Sequence, residues 1–166
     1  MNEFDRQDIV TDEESASRYL VFELGGDVFA APLLDVMEVI ETKPPQTLPN
    51  TLPHFLGLIN VRGKLFNVVD FRVKFAMKMP EFKEHAAYIL YTSEVGNFAL
   101  AVDKVRAVQT FNAEHIDTSS HILSQESQSF ISGVAKLDSQ LISIIKLKSL
   151  LEDEELLSYS KSALSA

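Results

Sequence analysis

The sequence predicts an all-β protein built as two pseudo-symmetric halves, each of about five short strands. Three observations carry this. Apolar runs of strand length alternate with turn residues along almost the whole chain. The strand plan is written twice at a nearly constant offset. Helical periodicity is confined to short pieces and a leucine-rich C-terminal stretch, Lys148 to Ser162. Five strands are about what a small barrel needs. Neither half buries much surface alone, so two five-stranded β-barrels packed on a shared apolar seam are expected.

The elements follow in order. Residues 1–17 are polar and acidic and read as a disordered N-terminal tail. Arg18 to Leu24 reads as a strand, Gly25-Gly26-Asp27 as a hairpin turn and Val28 to Ala31 as the return strand. Pro32 suits a strand end, because it has no amide proton for a ladder. Leu33 to Ile40 is β-branched, follows a hairpin, and is read as strand. Four of the six prolines then fall between Pro44 and Pro53. They predict a stiff connector, with Leu48 and Leu52 available to pin it to the body.

Phe55 to Phe75 is the central stretch. Leu58, Ile59 and Val61 precede a polar Arg62-Gly63-Lys64 turn, and Leu65, Phe66, Val68 and Val69 follow it. Gly63 suits the positive φ of a tight hairpin. Ala76 to Ala86 is a charged connector and marks the boundary between halves, about 18–80 and 81–151. The second half opens with strands at Tyr88 to Tyr91 and Phe98 to Val102, and Val105 to Val108 continues it. A short helix is expected near Ala113 to Ile116. Phe130 to Leu137 and Leu141 to Leu147 make a last hairpin around Asp138-Ser139-Gln140. Residues 152–166 form an acidic helical tail.

At an offset of 69, Tyr19 meets Tyr88, Phe29 meets Phe98, Val36 meets Val105 and Val39 meets Val108. At an offset of 76, Gly57 meets Gly133, Leu65 meets Leu141, Val68 meets Ile144 and Arg72 meets Lys148. Apolar matches between strands arise easily by chance. A tyrosine pair and a glycine pair in register across whole hairpins are better support.

Composition bounds the function. With 46% hydrophobic residues a sizeable core is available, and with no cysteine neither a disulfide nor a thiolate metal site is possible. The net charge of −9 sits mostly in the tails: residues 1–17 carry −5 and 152–166 carry −3, leaving −1 for 18–151. A near-neutral body offers no basic stripe, so nucleic acid is not expected as a partner. No apolar run approaches the roughly 20 residues of a membrane span, and the acidic N-terminus is no secretory signal. A cytoplasmic protein without membrane insertion is the expectation.

Enzyme motifs are sparse. His54, His85, His115 and His121 show no metal-ligand spacing, and no phosphate-binding glycine loop or nucleophile elbow occurs. Asp70 follows a buried-looking strand. It can cap the next turn, the simpler reading, or serve with His54 as the carboxylate of a small β-barrel hydrolase. Glu38 and Arg62 are two charges on otherwise apolar hairpins. They can pair across neighbouring strands, or stand as separate solvent-facing charges.

These residues carry a resemblance. YLVFELGGDVFAAPLLDVMEVI, LPNTLPHFLGLINVRGKLFNVVDFRVKF, VDKVRAVQ and FISGVAKLDSQLISIIKLKSLL together resemble the CheW family of chemotaxis coupling proteins over about Tyr19 to Leu151. The middle block is the most specific, with F-x-x-G-x-x-N-x-R-G and a strand ending V-D-x-R. The resemblance implies a single domain at 18–151 made of two SH3-like barrels, with no catalytic activity and no cofactor or metal. It implies an adaptor linking the cytoplasmic tips of methyl-accepting chemoreceptors to the regulatory domain of a CheA-type histidine kinase. Such a protein is a monomer in isolation and a member of membrane-associated, polar receptor arrays in complex. A coupling protein of a non-flagellar system, for pili or biofilm, is the alternative.

By position, the implied receptor-facing groove is Val36, Glu38, Val39, Gly57, Leu58, Asn60, Arg62 and Gly63, shaped by the Glu38–Arg62 pair. Kinase contacts are expected at the barrel ends. Pro32 and Asn67 depart from the family's usual acidic or polar residue and proline, respectively. With no receiver domain after Leu151 and no ATP-binding or phosphotransfer domain, the resemblance is to the coupling protein rather than to CheV or the kinase. Asn60, Arg62 and Gly63 meet Lys136, Asp138 and Ser139 in the repeat, so the function is expected where the repeat breaks.

Overall fold

The computed structural model describes residues 16–49, 51–81, 84–118 and 128–152. Eleven strands make two sheets among them. In chain order the strands are β1 (Ala16–Leu24), β2 (Asp27–Pro32), β3 (Glu38–Glu41), β4 (Phe55–Val61), β5 (Lys64–Val69) and β6 (Ala87–Ser93). They continue as β7 (Gly96–Val102), β8 (Lys104–Asn112), β9 (Ile116–Asp117), β10 (Ile131–Leu137) and β11 (Gln140–Ile145). One sheet runs β8-β1-β2-β11-β10-β9 and the other β3-β6-β7-β5-β4.

The duplication is visible in this order. Replacing β1, β2, β8, β10 and β11 by their repeats β6, β7, β3, β4 and β5 turns the first sheet into the second, with β9 left over. Registers obey the same offsets. Gly57 opposes Val68 as Gly133 opposes Ile144, and the parallel pair Val68–Ala99 matches Ile144–Ala30. Both sheets, however, draw strands from both sides of residue 80. Each takes its β1-β2-type hairpin from one half and its β4-β5-type hairpin from the other, so the halves are interlocked rather than side by side.

The faces explain the core. Strand alternation sends Ile59, Val61, Phe66, Val68, Tyr88, Leu90, Ala99 and Ala101 into the concave side of the second sheet. The opposite face supplies Ile89, Tyr91, Phe98, Leu100 and Val102 to a larger cluster with Leu20, Phe22, Leu24 and Ala31 from the first sheet. That cluster is the shared seam. Leu48 and Leu52 of the proline connector pack against it, as does the short helix Leu147–Leu151.

Two local readings change. Leu33 to Ile40 is not one strand: Leu33–Asp35 forms a 3-10 turn and β3 begins only at Glu38. Pro32 ends β2, and the turn throws Leu34 fully into solvent, so its apolar character marked no strand face. The expected helix near Ala113 is a 3-10 turn, Ala113–His115, leading straight into β9. Of the predicted C-terminal helix, the described part is Leu147–Leu151. The remainder, the N-terminal tail as far as Ser15, and His121 lie outside the described residues.

Candidate functional site

The site begins with a tight turn. Arg62 and Gly63 have φ of 50° and 86°, the pair of positive values that a type I′ hairpin requires. The Asn60 side chain steadies this turn, accepting from the Gly63 amide at 2.9 Å. A non-glycine residue at positive φ costs energy, so the turn holds Arg62 at one angle. From there its guanidinium reaches Glu38, the first residue of β3. Nη1 donates to Oε1 at 3.2 Å and Nη2 to Oε2, giving a two-pronged ion pair. The sequence left pairing or separation open, and the structure pairs them.

β3 and β4 are the two edges of their sheet. The Glu38–Arg62 pair therefore bridges edge to edge. Two further contacts help it. Lys43 Nζ donates to the Asn60 carbonyl, and Gln46 exchanges backbone hydrogen bonds with Leu58 at 2.8 and 2.9 Å. Gly57 makes that approach possible: its φ is +137°, and a Cβ there would stand 2.1 Å from the Gln46 carbonyl oxygen.

Around the pair, Val36 and Leu58 are half-buried at the margin of the seam, Val39 is exposed beside Glu38, and Asn60 is exposed on the hairpin. The structure thus gathers the eight predicted residues on or near one rim, as apolar steps flanked by one ion pair. Hydrogen bonding to Arg62 is the main reason the Glu38 carboxyl lies below its ordinary pKa, and the same bond raises Arg62. Lys43, Gln46 and the exposed Leu65 join the rim without having been singled out. Lys43 and Gln46 carried no sequence signal beyond flanking the prolines, whereas Leu65 belonged to the central apolar run.

Asp70 has a different job. Its carboxylate caps the short helix Phe71–Lys74 by accepting from the Arg72 amide. Both of its oxygens also accept from the Arg72 guanidinium, whose third bond goes to Asp103. Burial disfavours the Arg72 charge, but the bonds to Asp70 and Asp103 prevail and its pKa is raised. His54 presents its backbone carbonyl to the Asp70 amide and its ring to Phe71, at 5.9 Å between centroids. A cavity of about 440 Å³ beside Asp70 is lined by Pro44, Leu56, Val73 and Tyr88 but not by His54. The two residues are not arranged as acid and base. Among the described residues no group of three metal-ligating side chains occurs, and no helix is long and apolar enough to cross a membrane.

A family model described as a CheW-like domain matches residues 18–155. The chain belongs to the CheW-like family. Relatives of this CheW-like chain include the chemotaxis protein CheW of Rhizobium meliloti, 27% identical over 136 residues, covering 82% of this chain and 88% of that one. The chemotaxis protein CheW of Helicobacter pylori is 22% identical over 145 residues, covering 86% of each. Among solved structures, the scaffolding protein TtCheW from Thermoanaerobacter tengcongensis superposes with a TM-score of 0.75 at 27% identity, over 84% of this chain and 90% of that one. The all-β, two-sheet architecture is that of a CheW fold.

Proposed function

We propose that this protein is a non-enzymatic adaptor in chemotaxis signalling. It couples the cytoplasmic tips of methyl-accepting chemoreceptors to the regulatory domain of a CheA-type histidine kinase. The observation that carries the reading is the Glu38–Arg62 pair, which ties the two edges of one sheet beside exposed apolar residues. Membership of the CheW-like family supports it.

In this reading the receptor tip, a helical hairpin, lays apolar residues against Val36, Val39 and Leu58, at the i, i+3, i+4 spacing of helix-in-groove recognition. Glu38 and Arg62 hold the rim in shape, and Asn60 and Gly63 hold the turn. The protein works in the cytoplasm as a monomer that joins membrane-associated arrays, with the kinase at the ends of the two sheets.

The test is a pull-down of the full chain with a receptor cytoplasmic fragment and with the kinase. Both partners are expected to bind, and Arg62→Ala is expected to weaken the receptor while leaving the thermal transition in place. Unchanged receptor affinity in a folded Arg62→Ala variant would move the groove elsewhere.

A further inference from the structure

Leu58 of β4 lies directly opposite Asn67 of β5, Asn67 beside Phe98 of β7, and Phe98 opposite Tyr91 of β6. Directly paired residues share a face. These four therefore form one row across the seam side of the second sheet, three apolar and one polar. Asn67 is 2% exposed. Its Nδ2 donates to the Asn97 carbonyl at 2.9 Å, which fixes which way the amide points. Its Oδ1 is sealed from solvent and has no hydrogen-bond partner among the described residues. It is the one such side-chain atom found among them.

A buried acceptor left unmet is costly, and a protein that keeps one invites the question of what satisfies it. The repeat sharpens the question. The matching row in the first sheet is Val134, Ser143, Phe29 and Phe22. Ser143 is polar too, but it is half-exposed and within reach of water. At Asn67 the same position is closed over a larger amide.

We propose that Asn67 is a specificity-determining residue of the receptor-facing groove, accepting through Oδ1 a hydrogen bond from a donor side chain of the docked partner. This rests on the groove reading given above. Leu58 is a groove residue, half-buried and so open to contact. Cross-strand neighbours have Cβ atoms about 5 Å apart. A partner side chain packed on Leu58 therefore ends next to Asn67, where an amide, hydroxyl or ammonium tip can donate to Oδ1. Selectivity follows from the cost of the alternative, since an apolar tip leaves the acceptor buried and unmet. Partners with a donor at that point are favoured over those without one.

The experiment compares wild type, Asn67→Val, Asn67→Thr and Arg62→Ala for binding to a cytoplasmic-tip fragment of a methyl-accepting chemoreceptor, with a thermal unfolding curve for each. Valine keeps the β-branched volume without an acceptor, and threonine restores one. Asn67→Val is expected to unfold at the wild-type temperature or above it, because it removes an unmet polar group, and to bind about tenfold more weakly. Asn67→Thr is expected to recover most of the lost affinity.

Binding of Asn67→Val within twofold of wild type overturns the proposal, and so does equal weakening by valine and threonine. A drop in unfolding temperature that parallels the drop in affinity, or failure of Asn67→Val to fold, makes Asn67 structural and also overturns it. If Arg62→Ala weakens binding while Asn67→Val does not, only this proposal falls. If wild type does not bind the fragment, the groove reading falls with it.

Discussion

The sheet β3-β6-β7-β5-β4 and its counterpart β8-β1-β2-β11-β10 have the same strand order and registers, yet their edges are joined by different chemistry. In the second half of the repeat, Ala107 and Asp138 stand where Glu38 and Arg62 make their pair. There the edges meet through β9, which pairs with β10, and through Arg106, which donates to Gln140 at 2.9 Å. The backbone turn is nevertheless conserved between the repeats: Asp138 and Ser139 have φ of 49° and 66°, like Arg62 and Gly63. One side chain changed while the frame stayed. Geometry common to both sheets serves the fold, and chemistry present in one of them is the place to look for function.

Asp70 and Arg72 show the same contrast at the hairpin exit. Their counterparts, Lys146 and Lys148, are exposed, whereas the Arg72 guanidinium is 8% exposed and bound to Asp70 and Asp103. Asp103 lies where the chain leaves β7 for β8 and passes between sheets, and its amide donates to Glu23 of β1 at 2.9 Å. The first-half charges thus lock the crossover, and the second half has nothing comparable to lock.

Breaking that lock should have the largest effect. Arg72→Ala leaves two carboxylates without their cation and is expected to cost about 3–5 kcal/mol in denaturant unfolding. Lys148→Ala, on the exposed counterpart, should stay within about 0.5 kcal/mol. Similar losses at both would erase the contrast.

The glycine pair comes next. Gly57→Ala drives a Cβ against the Gln46 carbonyl, and overpacking of this kind costs about 1–3 kcal/mol before the strain of its φ is added. At Gly133 the Cβ would meet the Ile116 side chain at 2.6 Å, which can shift, so Gly133→Ala should cost less in the same assay.

At the turns themselves the readout is binding. Arg62→Ala should reduce receptor-fragment affinity about tenfold, the scale of an interface hot spot, while Asp138→Ala should leave it unchanged.

The smallest effect is on pH. Glu38 has a depressed folded-state pKa, so its contribution is present above the ordinary glutamate value of about 4.3 and is lost as pH falls through the folded value. Wild type should therefore lose more stability below that pH than Glu38→Gln does, which a pair of acid titrations followed by fluorescence or circular dichroism would show.

The offsets of 69 and 76 were readable because alternation and turn residues are local properties, and the registers obey them strand by strand. The Asp70 cap was readable for the same reason. The exchange of hairpins between halves was not, since it depends on which edges meet in space. Asp103 was invisible for that reason too, sitting 31 residues from Arg72 in the chain. Leu33-Leu34 misled because apolar residues in a turn look like a strand until Leu34 is found in solvent. Glu38 and Arg62 stood in view, but only the curl of the sheet decides whether two edge charges meet.

A double-mutant cycle on Glu38 and Arg62, read as receptor-fragment affinity, tests the central claim most directly. The pair acting as a unit predicts that Glu38→Ala, Arg62→Ala and the double variant all weaken binding by similar factors, with a clear coupling between the two sites. Strictly additive losses, or full affinity in the double variant, would contradict it.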